Sequence, residues 1–319
     1  MLIDVEKFII ICYDAFIWEG IMKNILITGG TVFISRYLAE YYVSKGENVY
    51  VINRNTKKQS VGVKLIESDR HFLGDRLKKI HFDLVIDTGY TAFDVDTLLD
   101  SLGSYSEYVF ISSSAVYPEN TVLPFSENDA VGKNSIWGTY GINKIEAENL
   151  LMKRNPLAYI LRPPYLYGEM NNLYREGFVF DCALNNRKFY LPQDGEMKLQ
   201  FFCVSDLCRF IDIISEKKPD NKVFNLGNKD TVSIKNWVEI CYNVVGKKAE
   251  FINVYKNTEQ RNYFCFYDYE YCLDVSKQYE LMEDTLLLSD GLNASFEWYK
   301  NNRDKVNVKP YFEFIDKNL

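Results

Sequence analysis

Histidine is almost missing from this chain: His71 and His81 are the only two in 319 residues. The seven cysteines, Cys12, Cys182, Cys203, Cys208, Cys241, Cys265 and Cys272, show no C-x-x-C spacing, and their number is odd. With so few donors, no metal site is expected, and reduced thiols in a cytoplasmic protein are the simplest account. No apolar run reaches the roughly 20 residues of a membrane span. The stretch Phe8–Trp18 is broken by Asp14 and preceded by Asp4 and Glu6, so it also lacks the basic start and clean apolar run of a signal peptide. Prolines number only 8, and there is no repeat or low-complexity tract. Basic residues are in deficit too. A net charge of −7 argues against a broad phosphate-backbone footprint, so nucleic acid and membrane are not the expected partners.

What is present is a globular composition, 47% apolar and 25% charged, long enough for one large or two small domains. The organising stretch is Ile25-Leu26-Ile27-Thr28-Gly29-Gly30-Thr31-Val32-Phe33-Ile34-Ser35. It reads as a buried strand, a tight glycine turn and the first turn of a helix. Such a junction offers free backbone N–H groups and the positive end of a helix dipole, which suits a diphosphate. Tyr37–Lys45 continues as helix to a stop at Gly46, and Asn48–Ile52 is the next strand. The unit spans about thirty residues, as a mononucleotide-binding βαβ unit requires. An acidic residue at the end of that strand would bind the ribose hydroxyls of NAD. Asn53 and Arg54 stand there instead, with Lys57 and Lys58 behind them. Arginine suits a 2′-phosphate, so Arg54 tips the expectation toward NADP while NAD stays open. A solvated surface turn is the competing reading.

Val63–Glu67, Leu84–Asp87 and Tyr108–Ile111 read as further strands, with a helix over Asp94–Leu102. Strands alternating with helices predict an α/β fold, a doubly wound parallel sheet covered on both faces. Ligands of such sheets lie at the carboxyl ends of the strands, which places Asp69, Thr88, Gly89 and Tyr90 beside the adenosine half. The fifth strand runs into Ser112-Ser113-Ser114, and Tyr140 and Lys144 follow at helical i, i+4 spacing. A phenol near an ammonium can be held as phenolate and take a proton from a carbinol as hydride leaves the same carbon. Alone, Tyr-x-x-x-Lys describes an exposed helical pair. In this order, after a glycine loop and a strand-end serine on an α/β chain, the pair becomes a strong signal.

At these residues the chain resembles the extended short-chain dehydrogenase/reductase family, the NAD-dependent epimerase/dehydratase group, from Met22 to about Tyr299. Thr28–Ser35 is similar to its T-G-G-x-x-F-I-G loop, in the branch reading T-G-G-T-x-F-I-G. Val32 and Ser35 replace two of the family's glycines. The resemblance implies Ser113, Tyr140 and Lys144 as catalytic residues, with Lys144 also on the nicotinamide ribose. It implies a cofactor held by Gly29, Thr31, Val32, Phe33, Ile34 and Ser112, and by Pro163 and Tyr165 of Leu161–Gly168. It also implies a Rossmann domain over residues 22–168 with 201–227, and a smaller C-terminal α/β substrate domain over residues 169–200 with 228–319. Residues 1–21 read as an extension before an alternative start at Met22.

The family's dehydratases carry an Asp-Glu pair where this chain has Ser114 and Ala115, which disfavours dehydration. The expectation is an NAD(P)-dependent epimerase or reductase acting on a sugar carbinol or ketone of a nucleotide sugar. Asn171, Tyr174, Arg175 and Arg187 are substrate-side candidates, with Ser114, because arginine suits bidentate phosphate contact; Lys198 and Gln200 are weaker ones. A homodimer through the helices near 94–102 and 138–154 is implied by the family alone. The alternatives are an RNA-binding member of the T-G-G-T-x-F-I-G branch and an NADP(H)-sensing protein without turnover.

Overall fold

A computed structural model describes residues 22–255 and 257–319; the expectation for residues 1–21 lies outside them. The chain begins with β1 (Asn24–Thr28), α1 (Phe33–Ser44), β2 (Asn48–Asn53), β3 (Lys64–Glu67) and β4 (His81–Asp87). It continues through α2 (Ala92–Ser101), β5 (Ser104–Ile111), α3 (Thr139–Arg154), β6 (Tyr159–Arg162), β7 (Tyr165–Tyr167) and α4 (Glu176–Leu184). Next come β8 (Phe189–Pro192), β9 (Lys198–Leu199), β10 (Phe201–Cys203), α5 (Val204–Lys217), β11 (Val223–Asn225) and β12 (Val232–Ser233). The last elements are α6 (Ile234–Val244), β13 (Phe251–Val254), α7 (Ser276–Tyr279), α8 (Leu288–Lys300) and α9 (Tyr311–Asn318).

Seven strands form one parallel sheet in the order β11-β6-β5-β4-β1-β2-β3. The order reverses direction between β1 and β4, where such sheets open a ligand crevice. This is the predicted doubly wound α/β fold. β1 is buried at Ile25, Leu26 and Ile27, and β4 at Leu84, Val85 and Ile86, because helices cover both faces. One apolar cluster joins α1 and α5 to one face; another joins α2 and α3 to the other.

The structure lengthens three elements that the sequence reading made short. α1 begins at Phe33 rather than near Arg36, since the loop residues already take helical positions. β4 and β5 start at His81 and Ser104. His81, Asp83, Ser104, Ser106 and Glu107 are polar and half-exposed or exposed, so the apolar signal there is weak although the backbones pair.

A third buried cluster draws on β7, β8, β10, α4, α6, α8 and α9, and is dense in aromatics. Phe201 and Trp237 stack at its centre, with ring centroids 5.7 Å apart. The six described cysteines are free, five of them buried. No helix among the described residues is long and apolar enough to cross a membrane.

Candidate functional site

A cleft of about 690 Å³ opens at the carboxyl ends of β1, β4 and β5. Its floor is the loop between β1 and α1. Gly30 has φ +89°, and a Cβ there would lie 2.5 Å from Val51 Cγ1, so only glycine lets the turn sit against β2. Val32 is extended (φ −138°, ψ 135°), a conformation open to any residue, so the loss of the family's glycine strains no backbone. The Ser35 hydroxyl donates to the Val32 carbonyl at 3.0 Å and braces the turn. Phe33 takes a left-handed φ of +34°, a strained conformation of the kind found at binding loops. The first-turn amides of α1 have no carbonyl one turn before them and remain available to an anion. Thr31, Val32, Phe33, Ile34 and Ser35 all line the cleft, with Gly29.

The next wall is locked from beneath by Asp87, which is fully buried. It accepts from Thr28 Oγ1 (2.9 Å), Arg70 (2.9 Å), the Gly89 amide (2.9 Å) and the Tyr108 hydroxyl (2.8 Å). Thr88 donates twice to Thr28, from its amide to the hydroxyl and from its hydroxyl to the carbonyl, and it reaches the cleft together with Tyr90. Gly89 lies behind the wall and presents its carbonyl to Lys144.

Ser112, Ser113 and Ser114 leave β5 into the cleft, and α3 brings Tyr140 and Lys144 to face them. That approach needs Gly141, where a Cβ would lie 2.4 Å from the Ala115 carbonyl. The Ser113 hydroxyl lies close enough to the Tyr140 phenol to favour its ionised form. Behind them runs a buried network. Ser112 donates to Glu148 at 2.5 Å, and Glu148 pairs with Arg162 at 2.6 Å. Arg162 donates to the Tyr117 hydroxyl, which donates to Asn225 at 2.7 Å. One network thus ties β5, α3, β6 and β11 into a single rigid support.

The electrostatics differ from the sequence expectation. Burial pushes the Tyr140 pKa up, and the neighbouring Ser113 hydroxyl and the Arg175 charge offset this only in part. Lys144 is not what lowers it, because its Nζ donates to the carbonyls of Gly89 and Ile111, both at 2.7 Å. Burial lowers the Lys144 pKa to about 8, against the pull of Asp87 and Glu148. The phenol is therefore a proton donor at neutral pH, beside a desolvated amine that carries most of its charge below about pH 8.

Several expected residues lie elsewhere. The Asn53 amide donates to the Gly29 carbonyl (2.7 Å) and to Gln59 (3.0 Å), so it holds the loop in place. Arg54 is exposed and makes no hydrogen bond or ion pair among the described residues. Asp69 caps the turn that follows it by accepting from His71 N–H, off the cleft wall. Asn171 is buried and donates to Glu176, while its neighbours Asn172 and Leu173 line the cleft. Tyr174 donates to Asp181 at 2.6 Å in the core. Gln200 is an internal brace between Asn228 and Leu273. Arg187 pairs with Asp316 and stacks on Phe312, beside a separate small basic pocket.

Arg175 does reach the cleft. It lies over the rings of Tyr165 (5.1 Å) and Phe266 (5.6 Å) and has no carboxylate partner among the described residues. Pro163 and Tyr165 share that wall with Trp137, Tyr267 and Tyr271, three residues that the sequence reading missed. Tyr267 and Tyr271 come from a loop more than a hundred residues further along the chain, with no local pattern to mark them. Trp137 is three residues before Tyr140, and that closeness was its one available signal.

A dinucleotide-type crevice with a Ser-Tyr-Lys wall defines a short-chain dehydrogenase class of protein. A sequence model described as the NAD dependent epimerase/dehydratase family matches residues 25–227, and the chain belongs to that family. Among curated relatives, the chloroplast stem-loop binding protein of 41 kDa b from Arabidopsis thaliana is 28% identical over 311 residues, 86% of this chain and 79% of its own length. Among solved structures, UDP-glucose 4-epimerase from Thermotoga maritima, with UDP-glucose, superposes with a TM-score of 0.71 at 20% identity, over 88% of this chain and 99% of that one. The dTDP-glucose 4,6-dehydratase of Bacillus anthracis, in complex with NAD, gives a TM-score of 0.71 at 18% identity, over 89% and 98%.

Proposed function

We propose that this protein is an NAD(P)-dependent epimerase or reductase that transfers hydride at a carbinol or ketone of a nucleotide sugar. The observation that carries the reading is the meeting of Ser113 and Tyr140 on a cleft that begins at the Gly29–Ser35 loop, with Lys144 one helical turn on. The loop fits a diphosphate, with open helix-start amides, a close turn at Gly30 and an unstrained Val32. Bound NAD(P) would supply the hydride acceptor or donor. Thr31–Ser35 would hold its phosphates, Thr88 and Tyr90 would flank the adenosine side, and Lys144, with Ser112 and Pro163, would border the nicotinamide end.

The protonated phenol sets the direction in which Tyr140 works unaided: it gives a proton to a ketone oxygen as hydride arrives. For the reverse step it must lose that proton, and the Arg175 charge favours the loss. Ser113, on the same cleft wall as the phenol, would hold the same substrate oxygen in line. Ser114 and Ala115 provide no carboxyl acid/base pair, which weighs against elimination even though a dehydratase is among the structural neighbours. Arg175 is the cleft cation suited to a diphosphate. Residues 169–200 with 228–319 would form the substrate side. A second reading, RNA binding without redox chemistry, draws on the Arabidopsis relative's name. It asks for a basic surface, and in this cleft one cation is tied to two carbonyls and the other lies on aromatic faces.

Titration of the purified protein with NADH and with NADPH, read by fluorescence, tests the proposal. Saturable binding is the expected result, and tighter binding of NADPH would assign Arg54 to the 2′-phosphate. No binding of either, with salt-dependent RNA binding in its place, would sink the enzyme reading.

A further inference from the structure

The wall beside Arg175 holds two phenols whose hydrogens are unspent. Tyr165 and Tyr271 are 5% and 4% exposed, with ring centroids 5.8 Å apart. The Tyr165 hydroxyl has no hydrogen-bond partner among the described residues. The Tyr271 hydroxyl accepts from Ser114 Oγ at 3.1 Å, and no acceptor among the described residues takes its own hydrogen. All three side chains line the cleft that holds Ser113 and Tyr140, and Ser114 follows Ser113 directly in the chain.

Leaving a buried hydroxyl unpaired is costly, and folded proteins keep few such groups. Packing does not explain them. The Tyr165 ring meets Phe266 at 4.6 Å and Trp137 at 6.2 Å, and the Tyr271 ring meets Phe125 at 6.2 Å. Phenylalanine would make the same ring contacts at either position. The hydroxyls are therefore retained for something that enters the cleft. The described groups that touch them are neutral apart from Arg175 on the ring face, so they suit uncharged oxygens better than an amine.

We propose that Ser114, Tyr165 and Tyr271 form a subsite that reads the hydroxyl pattern of the sugar ring next to the reacting carbon. Tyr165 and Tyr271 donate to ring or hydroxyl oxygens, and the Ser114 oxygen, still able to accept, takes the hydrogen of a neighbouring hydroxyl. This rests on the proposed hydride transfer at a sugar carbon and states how that sugar is selected. It also moves the Tyr165 hydroxyl from the cofactor side, where the family resemblance put it, to the substrate.

The test compares wild type with Tyr271→Phe, Tyr165→Phe and the double variant in two measurements. The first is the thermal midpoint without added ligand. Hydroxyls kept for a substrate predict midpoints equal to or above wild type, whereas a fall of several degrees would make them structural and overturn the proposal. The second is calorimetric titration with UDP-, dTDP- and GDP-hexoses in the presence of NAD. Each lost hydroxyl should weaken the tightest of these about tenfold, the scale of one hydrogen bond. Tyr271→Phe should keep the NADH affinity of wild type. Deoxy analogues of that sugar should lose affinity for wild type but not for the variant that lacks the matching hydroxyl. Equal affinity in wild type and variants sinks this inference alone. A wild type that binds NADH but none of the nucleotide sugars sinks it together with the proposed function.

Discussion

The two halves of the cleft, one proposed here for the cofactor and the other for the substrate, are built on different principles. The cofactor half is made largely of backbone: amides at the start of α1, the turn at Gly30, and the Thr88–Tyr90 segment pinned by Asp87. Its geometry follows from strand order and a few small residues. The substrate half is made of side chains, with Trp137, Tyr165, Arg175, Tyr267 and Tyr271 contributed by segments far apart in the chain. A backbone cradle tolerates a change such as glycine to Val32, because an extended residue keeps the amides where they were. A side-chain wall tolerates much less, since each ring fixes the next. The comparison predicts that cofactor binding survives most single substitutions, whereas turnover and substrate binding do not.

Where the halves meet, the largest effect is expected from Tyr140→Phe. Turnover should fall about 10²- to 10⁴-fold, the usual share of a general acid/base, with NADH binding unchanged. Unchanged turnover would remove the phenol from the chemistry. Next is the support under both halves. Glu148→Ala leaves the Arg162 guanidinium buried and unpaired, and it also frees the Ser112 hydroxyl. Denaturant unfolding should show a loss of about 3–5 kcal/mol, the cost of breaking a buried pair from one side. A loss under about 1 kcal/mol would mean that this network is not what holds β5, α3 and β6 together.

The same contrast explains what could be read from the sequence. The alternation of strands and helices, the glycine turn and the Ser-Tyr-Lys spacing were legible because strand period, helix period and φ restrictions act locally. Asn53 and Asp69 stand at the expected strand ends, yet each accepts from the amide two residues on, Asn55 and His71, since short polar side chains readily satisfy nearby backbone. Arg187 looked like a phosphate ligand by residue type. Its pairing with Asp316 of α9 depends on tertiary packing that no local pattern encodes. Tyr267 and Tyr271 were missed for the same reason. The Lys144 effect on Tyr140 was misjudged because spacing puts two residues on one helix face but does not say which way an ammonium turns.

On the substrate side, Arg175→Ala should weaken nucleotide-sugar binding about tenfold and leave NADH affinity alone, as loss of one charge-assisted contact would. Equal weakening of both ligands would place Arg175 at the cofactor and erase the proposed division of the cleft.

The smallest effect concerns Lys144, and its sign is fixed by the depressed pKa. In the folded protein this amine titrates near 8 instead of 10.5, because burial outweighs the attraction of Asp87 and Glu148. Between these values the unfolded chain binds more protons than the native one, so this residue's contribution to stability rises with pH. Below pH 8 the folded state carries the full cost of a buried charge. Above 10.5 both states are neutral and the cost is gone. Replacing it with methionine removes the titration, so the stability of wild type relative to Lys144→Met should climb by about 1 kcal/mol between pH 7.5 and 9. Denaturant midpoints of the two proteins across that window measure it, and the difference cancels the tyrosines and cysteines that both share. A flat difference would mean that the ammonium is not desolvated at the Gly89 and Ile111 carbonyls. The amine would then be free to reach the phenol, and the sequence expectation for Tyr140 would stand after all.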